Sequence, residues 1–403
     1  GQDAFFGLHG DFLGLGGLLG LSWRMGYWHW KYREPERPDR SAGAAPWAME
    51  ALAGPPEPAY RFHFLPFGIN LGSNVPDWAL AGEVDTPAAP DWEAVEAWVR
   101  DNVRVERALY PHMRPRLYGG GWELNLNMPP WLVQQPEYSA EDAVELYRRI
   151  RVIVKEEDPE GLVLGPCPNI LDVDWLESLF QAGLLDQLDG IELHAYNEGT
   201  FTPEENRLPE KLARLQELLA QYAPGRELPL YVTERGDVGA FGADLIYREQ
   251  AELGVRAAII LKGEGVKVFL PFYGVDYDRG CYGFCFNLEL DPPGPWGTRR
   301  ISPKPLASAM AASAWLLEGT SPAGRLKEFG DEVLAYHFTG EGRRVLALWA
   351  PKGTQEIVLP VGSASVITVY DLMGVASTVS PEAGKVRLRI GPAPCYGVLA
   401  EAE

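Results

Sequence analysis

Short apolar runs that end on polar residues alternate along most of the chain with longer segments whose apolar positions recur at helical spacing. The clearest run is LPLYVTERG, residues 228–236, a strand over 229–233 that ends on Glu234 and breaks at Gly236. An unbroken apolar run of this length fits a parallel strand covered on both faces. The same rhythm predicts strands over 4–12, 21–30, 60–67, 115–125, 161–166, 190–198 and 266–276. Helical periodicity predicts helices over 90–109, with Asp91 as N-cap, and over 139–157, where Ser139 and Asp142 form a variant capping box. Further helices are expected around 173–185, 205–223, 242–258 and 303–317, and the Pro-rich span 33–59 reads as loop. Gly119, Gly120 and Gly121 inside a strand predict close approach of another backbone or a ligand.

Strands each followed by a helix or long loop predict an α/β fold, a (β/α)8 TIM barrel over 1–322. Near residue 325 the period shortens to two, in EVLAYHF, RRVLALWA, QEIVLPV, ASVITVYDL and KVRLRI, separated by glycine-rich turns. This predicts a small C-terminal antiparallel β-sandwich domain over 323–403. It carries no catalytic cluster, so stabilising the barrel is its expected role.

Composition narrows the function classes. The 403 residues are 46% apolar and 23% charged, as in a soluble globular protein. A net charge of −20 argues against nucleic acid and anionic membrane as partners. No apolar run is long enough for a membrane span, and the first residues carry no signal core, although a leader could have been removed; secreted and cytoplasmic locations both stay open. Cys167, Cys281, Cys285 and Cys395 lack zinc-type spacing, so neither a metal nor another cofactor is expected. An Arg- and Pro-rich, Asn-poor composition points to thermostability.

The strand ends carry the candidate chemistry, because a parallel barrel places its reacting groups there. Glu123 and Glu234 are the candidate catalytic pair. Arg24, Trp28, Trp122, Asn125, His194, Tyr196 and Tyr273 are candidate substrate-binding residues, with His194 and Tyr196 on one face by the period of two. Trp28, Trp30, Trp78 and Trp122 are candidate walls for sugar rings. Glycoside hydrolysis needs two carboxyl groups flanking one bond, one protonated and one ionised. A separate reading makes Glu123 an inward structural carboxylate paired with Arg24. Proton abstraction beside a carboxylate is disfavoured, since no strand-end Lys or metal spacing appears.

The pieces VTERG, LHAY, WELN, SPKPLASAMAASAWLLEG and VYDLMG together resemble clan A glycoside hydrolases, most of all glycoside hydrolase family 39 and its relatives, over nearly the whole chain. The resemblance implies a retaining glycoside hydrolase acting on an oligo- or polysaccharide, with Glu234 as nucleophile and Glu123 as acid/base. It also implies that His194 and Tyr196 orient substrate and nucleophile. The clan's N-E-P pattern is altered here, with Trp122 before Glu123, Leu124 after it, and Asn125 matching the closing Asn. An alternative register sets Asn127 at the acid/base position and predicts a sugar-binding barrel without turnover. Transglycosylation would use the same residues as hydrolysis.

Overall fold

The computed structural model describes residues 5, 7–8, 23–25, 30–56, 62–69, 75–80, 90–125, 139–197, 202–237, 246–272, 274–276, 282–288, 301–340, 342–362 and 366–400. The chain divides into two compact units, Trp23–Tyr196 with Arg214–Thr233, and Gly1–Ser22 with Asn197–Ala213 and Glu234–Glu403. None of the described helices is long and apolar enough to cross a membrane.

The first of these units is built on a parallel sheet. Its strands are β2 (Trp23–Met25), β3 (Phe62–Ile69), β4 (Leu117–Gly121), β5 (Leu162–Pro166), β6 (Gly190–Leu193) and β7 (Leu230–Arg235), each parallel to the next. Helices α3 (Trp92–Leu109), α4 (Ala140–Glu157), α5 (Val173–Gln181) and α6 (Leu208–Tyr222) fall between successive strands from β3 to β7. Parallel strands in chain order with intervening helices fit an α/β barrel.

The expected caps are present. Asp91 accepts from the amides of Glu93 and Ala94 at the start of α3. Ser139 accepts from the Asp142 amide at 3.1 Å, and Asp142 meets the Ser139 hydroxyl at 2.9 Å. Each such cap satisfies a backbone donor that has no partner inside the helix.

Several sequence expectations are corrected. The span 33–59 is not all loop, since it holds α2 (Pro46–Ala53), with Pro46 in the first turn, where its missing N–H costs nothing. The second strand is short, and Trp30 instead begins the helical turn α1 (Trp30–Arg33). Trp30 is fully buried, stacked on Trp98 at 5.4 Å, and donates from its indole to Glu34 at 3.0 Å, so it is no sugar platform. Glycines 119–121 make room for side chains. A Cβ at Gly119 would lie 2.5 Å from Phe64 and 2.6 Å from Glu192, and one at Gly120 would lie 2.4 Å from Tyr147.

In the other unit, α7 (Ile246–Gly263) runs through the residues expected to leave the helix, and β8 (Val266–Pro271) lies beside β1 (Gly7–Leu8). After the antiparallel pair β9 (Cys285–Asn287) and β10 (Ile301–Pro303) comes α8 (Pro305–Leu317). The period-two segments form strands as expected. β11 (Ser321–Arg325), β12 (Leu334–Gly340), β13 (Arg343–Trp349), β18 (Cys395–Ala400), β15 (Ile367–Tyr370) and β16 (Ala376–Val379) make one antiparallel sheet in that order. β14 (Gln355–Pro360) and β17 (Lys385–Ile390) make a second. Ala335, Leu346 and Leu348 from the larger sheet share one apolar cluster with Ile357, Leu359, Val386 and Ile390 from the smaller.

Candidate active site

The carboxyl ends of β4, β5 and β6 gather one group of candidate residues. β5 and β6 pair through Pro166 and Glu192, and the pairing continues past the strands. Cys167 N donates to Glu192 O at 3.0 Å, His194 N to Pro168 O at 3.0 Å, and Tyr196 N to Asn169 O at 2.9 Å. The local backbone is bent. Glu123 (φ 49°), Cys167 (φ 61°) and Ala195 (φ 55°) have left-handed conformations, which cost non-glycine residues on the order of 1–3 kcal/mol each. Only two other described non-glycine residues have positive φ, so the strain concentrates here. Strain of this kind persists where the surrounding bonds over-determine the geometry.

Those bonds converge on Glu123, which is 9% exposed. Its Oε1 accepts from Asn169 Nδ2 at 2.5 Å and faces His194 Nδ1 at 2.8 Å. Asn169 is itself fixed by Asn125, whose Oδ1 accepts from the Asn169 amide at 2.7 Å while its Nδ2 donates to Ile170 O at 3.2 Å. His194 is fully buried, with Cys167 Sγ 3.2 Å from Nε2. Trp122 meets the imidazole edge-on at 4.8 Å, and Tyr196 does so at 6.3 Å. Among the described residues no hydrogen bond engages Glu123 Oε2.

Below this layer, Glu192 Oε1 accepts from Thr233 Oγ1 at 2.9 Å. One ligand atom each of Cys167, Glu192 and His194 lies within 4.8 Å of the others, close enough to hold a cation. Within it the two ring nitrogens of His194 already face Glu123 and Cys167.

Glu234 lies in a different local setting, at the end of β7 and 6% exposed. The next residue, Arg235, is buried and clamps Asp237 with two bonds, Nη2 to Oδ1 at 2.7 Å and Nε to Oδ2 at 3.2 Å. Asn197 accepts from Arg235 Nη2 at 3.0 Å. Gly236 has no room for a side chain, because a Cβ there would lie 2.3 Å from the Tyr282 ring. Tyr282 packs edge-on against Phe272 at 5.6 Å. Beyond β8, Asp276 accepts from Lys304 Nζ at 2.6 Å and from the Gly283 amide at 2.8 Å. Burial pushes the Asp276 carboxyl above its ordinary range, and the bond to Lys304 offsets only part of that.

No protein-family model and no curated protein matches the sequence. Solved structures do. A family 39 glycoside hydrolase from the gut symbiont Bacteroides cellulosilyticus WH2 matches with a TM-score of 0.67 at 14% identity, over 98% of this chain and 81% of that one. The wild-type enzyme BuGH86 in complex with neoagarooctaose matches at 0.63 and 12%, over 100% and 75%. A family 30 endoxylanase from Clostridium papyrosolvens C71 matches at 0.62 and 11%, over 100% and 97%. The fold of this chain is thus similar to that of solved family 39, family 86 and family 30 glycoside hydrolases. At these identities the likeness establishes fold, and the residues carry the rest.

Of the residues expected at the site, Trp122, Glu123, Asn125, His194 and Tyr196 come together around one carboxylate. Arg24 sits in β2 in register with His63, with its side chain outside the described structure. Trp28, Tyr273 and Asn127 also lie outside the described residues. Asn169 and Cys167 were missed. They follow β5 directly, so the strand-end rule that selected Glu123 would have found them had it been applied to the turn PCPN.

Proposed function

We propose that this chain is a retaining O-glycoside hydrolase acting on an oligo- or polysaccharide, with Glu123 as acid/base and Glu234 as nucleophile. In the first step Glu123 gives its proton to the glycosidic oxygen while Glu234 attacks the anomeric carbon. The C–O bond to the leaving group breaks and an ester to Glu234 forms. In the second step Glu123 takes a proton from water, the resulting hydroxide attacks the anomeric carbon, and Glu234 leaves as carboxylate. Trp122 and Tyr196 serve substrate binding, with Arg24, Trp28 and Tyr273 as further binding residues. His194 and Asn125, expected to bind substrate, instead orient Glu123, His194 directly and Asn125 through Asn169. Residues 1–322 act as the catalytic barrel and 323–403 as a β-sandwich accessory domain that stabilises it.

The observation that carries this reading is the environment of Glu123. Two N–H groups address one carboxyl oxygen, and the other is left for a reacting atom. A merely structural carboxylate in a buried site has both oxygens engaged more economically, as Asp158 does with Arg116 and Tyr118. The likeness in fold to glycoside hydrolases supports the coarser reading, that the chain is a glycosidase.

The test is hydrolysis of a panel of aryl glycosides by the wild type, Glu123→Ala and Glu234→Ala, each with and without azide. Azide should rescue Glu123→Ala by attacking the glycosyl ester, giving a glycosyl azide of retained configuration. With Glu234→Ala it should attack the substrate itself and give the inverted azide. Wild-type behaviour of Glu123→Ala on both activated and poor leaving groups would overturn its role.

A further inference from the structure

The contacts of His194 determine where its proton sits. An ionised carboxylate accepts hydrogen bonds and cannot donate them. The 2.8 Å contact between Glu123 Oε1 and His194 Nδ1 then places a hydrogen on Nδ1. This holds both for the carboxylate and for an acid that carries its proton on Oε2, since Oε1 is only an acceptor in either form. In a neutral imidazole Nε2 is then bare and acts only as an acceptor. The atom facing it at 3.2 Å is Cys167 Sγ, and both side chains are fully buried.

We propose that Cys167 is a positioning residue, whose thiol donates to His194 Nε2, holds the Nδ1–H tautomer and thereby directs the transferable proton of Glu123 onto Oε2. The inference rests on the acid/base role of Glu123. Oε1 already receives hydrogens from Asn169 Nδ2 and His194 Nδ1, so a proton added there would face two N–H groups. Oε2 takes it instead. With the opposite tautomer Nδ1 would be an acceptor, and the acid proton would be bonded between Oε1 and the imidazole, withheld from the substrate. One weak donor thus selects between a usable and an unusable acid.

The backbone is arranged to present this thiol. Cys167 has a left-handed conformation with φ 61° immediately after β5, while its amide remains bonded to Glu192 O. Asn169, two residues on, supplies the second donor to Glu123 from the same turn. A single short segment, residues 167–169, therefore sets both the tautomer of His194 and the load on Oε1.

The experiment uses the full chain with 15N-labelled histidine, and compares the wild type with Cys167→Ser and Cys167→Ala. Ring signals of His194 are assigned by their loss in His194→Asn. The wild type and Cys167→Ser, which keeps a donor, should show a protonated Nδ1 and a bare Nε2. Cys167→Ala should move toward the Nε2–H form. A wild type with Nε2 protonated, or an alanine variant with an unchanged tautomer, overturns the proposal.

Kinetics supply a second readout, on whichever aryl glycoside the wild type hydrolyses. Cys167→Ala should lower kcat by roughly 10-fold or more with a poor leaving group, a share of the 10²–10⁴-fold available to general acid catalysis. KM and the rate with 4-nitrophenyl as leaving group should change little, and Cys167→Ser should recover most of the loss. Equal losses in both variants, or on both leaving groups, would mean that the thiol only packs. If Cys167→Ala does not fold, the wild-type and Cys167→Ser spectra decide the question. A wild type with the Nδ1–H tautomer, combined with a Glu123→Ala variant as active as wild type, would sink the acid/base role and leave the tautomer assignment standing.

Discussion

β4, β6 and β7 are buried at every position, whereas β14 and β17 alternate buried with accessible residues. The contrast extends to chemistry. Every buried Glu, Asp, His, Lys, Arg, Asn, Gln, Ser or Thr described lies at or before Thr320; among the described residues of 321–400 the buried polar groups include the tyrosine hydroxyls of Tyr336 and Tyr396. In β14 and β17 one face meets water, so polar side chains there are solvated at no cost, whereas β13 of the larger sheet is buried from Val345 to Trp349. The parallel strands have no such face. A polar group there must find partners, and the strand ends are where partners and a substrate can both be reached. Among the described residues, burial of Glu, His, Arg and Asp is concentrated in the part of the chain that holds the proposed site, and the C-terminal sheets show packing without it.

That contrast can be broken most directly by activity. Glu234→Ala should reduce kcat/KM by roughly 10⁴-fold or more, as expected on removing a nucleophile. Ser377→Ala, on an exposed strand of the C-terminal sheet, should leave it unchanged. A comparable loss from Ser377→Ala would erase the distinction between the regions.

Stability should respond the other way round. Leu348→Ala empties part of the cluster shared by the two antiparallel sheets and should cost about 2–5 kcal/mol in urea unfolding. The kcat/KM of the protein that remains folded should not move, because none of the described site residues belongs to that cluster.

A smaller effect sharpens the view of the parallel-sheet region. Asp189, half-buried, accepts from the Val163 amide at 3.0 Å and pairs with Lys155 at 2.9 Å and Arg151 at 3.0 Å. Burial pushes its carboxyl up, but the Val163 amide, Lys155 and Arg151 together outweigh that and hold it below its ordinary value. A carboxyl lowered in the folded state stabilises the protein above its unfolded value, and that contribution disappears as pH falls through the folded value. Wild type should therefore exceed Asp189→Asn in stability at neutral pH, with the gap closing below about pH 4. A gap independent of pH would mean that the ion pairs contribute nothing.

Much of this was legible in the chain. Helices α3 and α4 follow from apolar spacing and from Asp91 and Ser139, because capping and periodicity act within a few residues. Strands β14 and β17 follow from period-two alternation, because one face of each is wet. Trp122, Glu123, Asn125 and His194 were found by a rule that needs only the strand and its end. The helix of residues 46–53 was obscured by surrounding prolines, although Pro46 itself suits a first turn. The burial of Trp30 was hidden for another reason: its stacking partner, Trp98, sits on a different helix, and no local pattern encodes that pairing.

By itself the sequence determined most of the described strands and helices and which carboxylates stand near strand ends, since those depend on local propensity and hydrophobic period. Only the tertiary structure decided what those carboxylates face. Asn169 and His194 reach Glu123 across 46 and 71 positions of chain, and Cys167 reaches His194 across 27. Hydrogen bonds of a few ångströms between residues that far apart are set by strand order and register, and by the left-handed bends at 123, 167 and 195 that aim the side chains. Neither is written in any one stretch of residues.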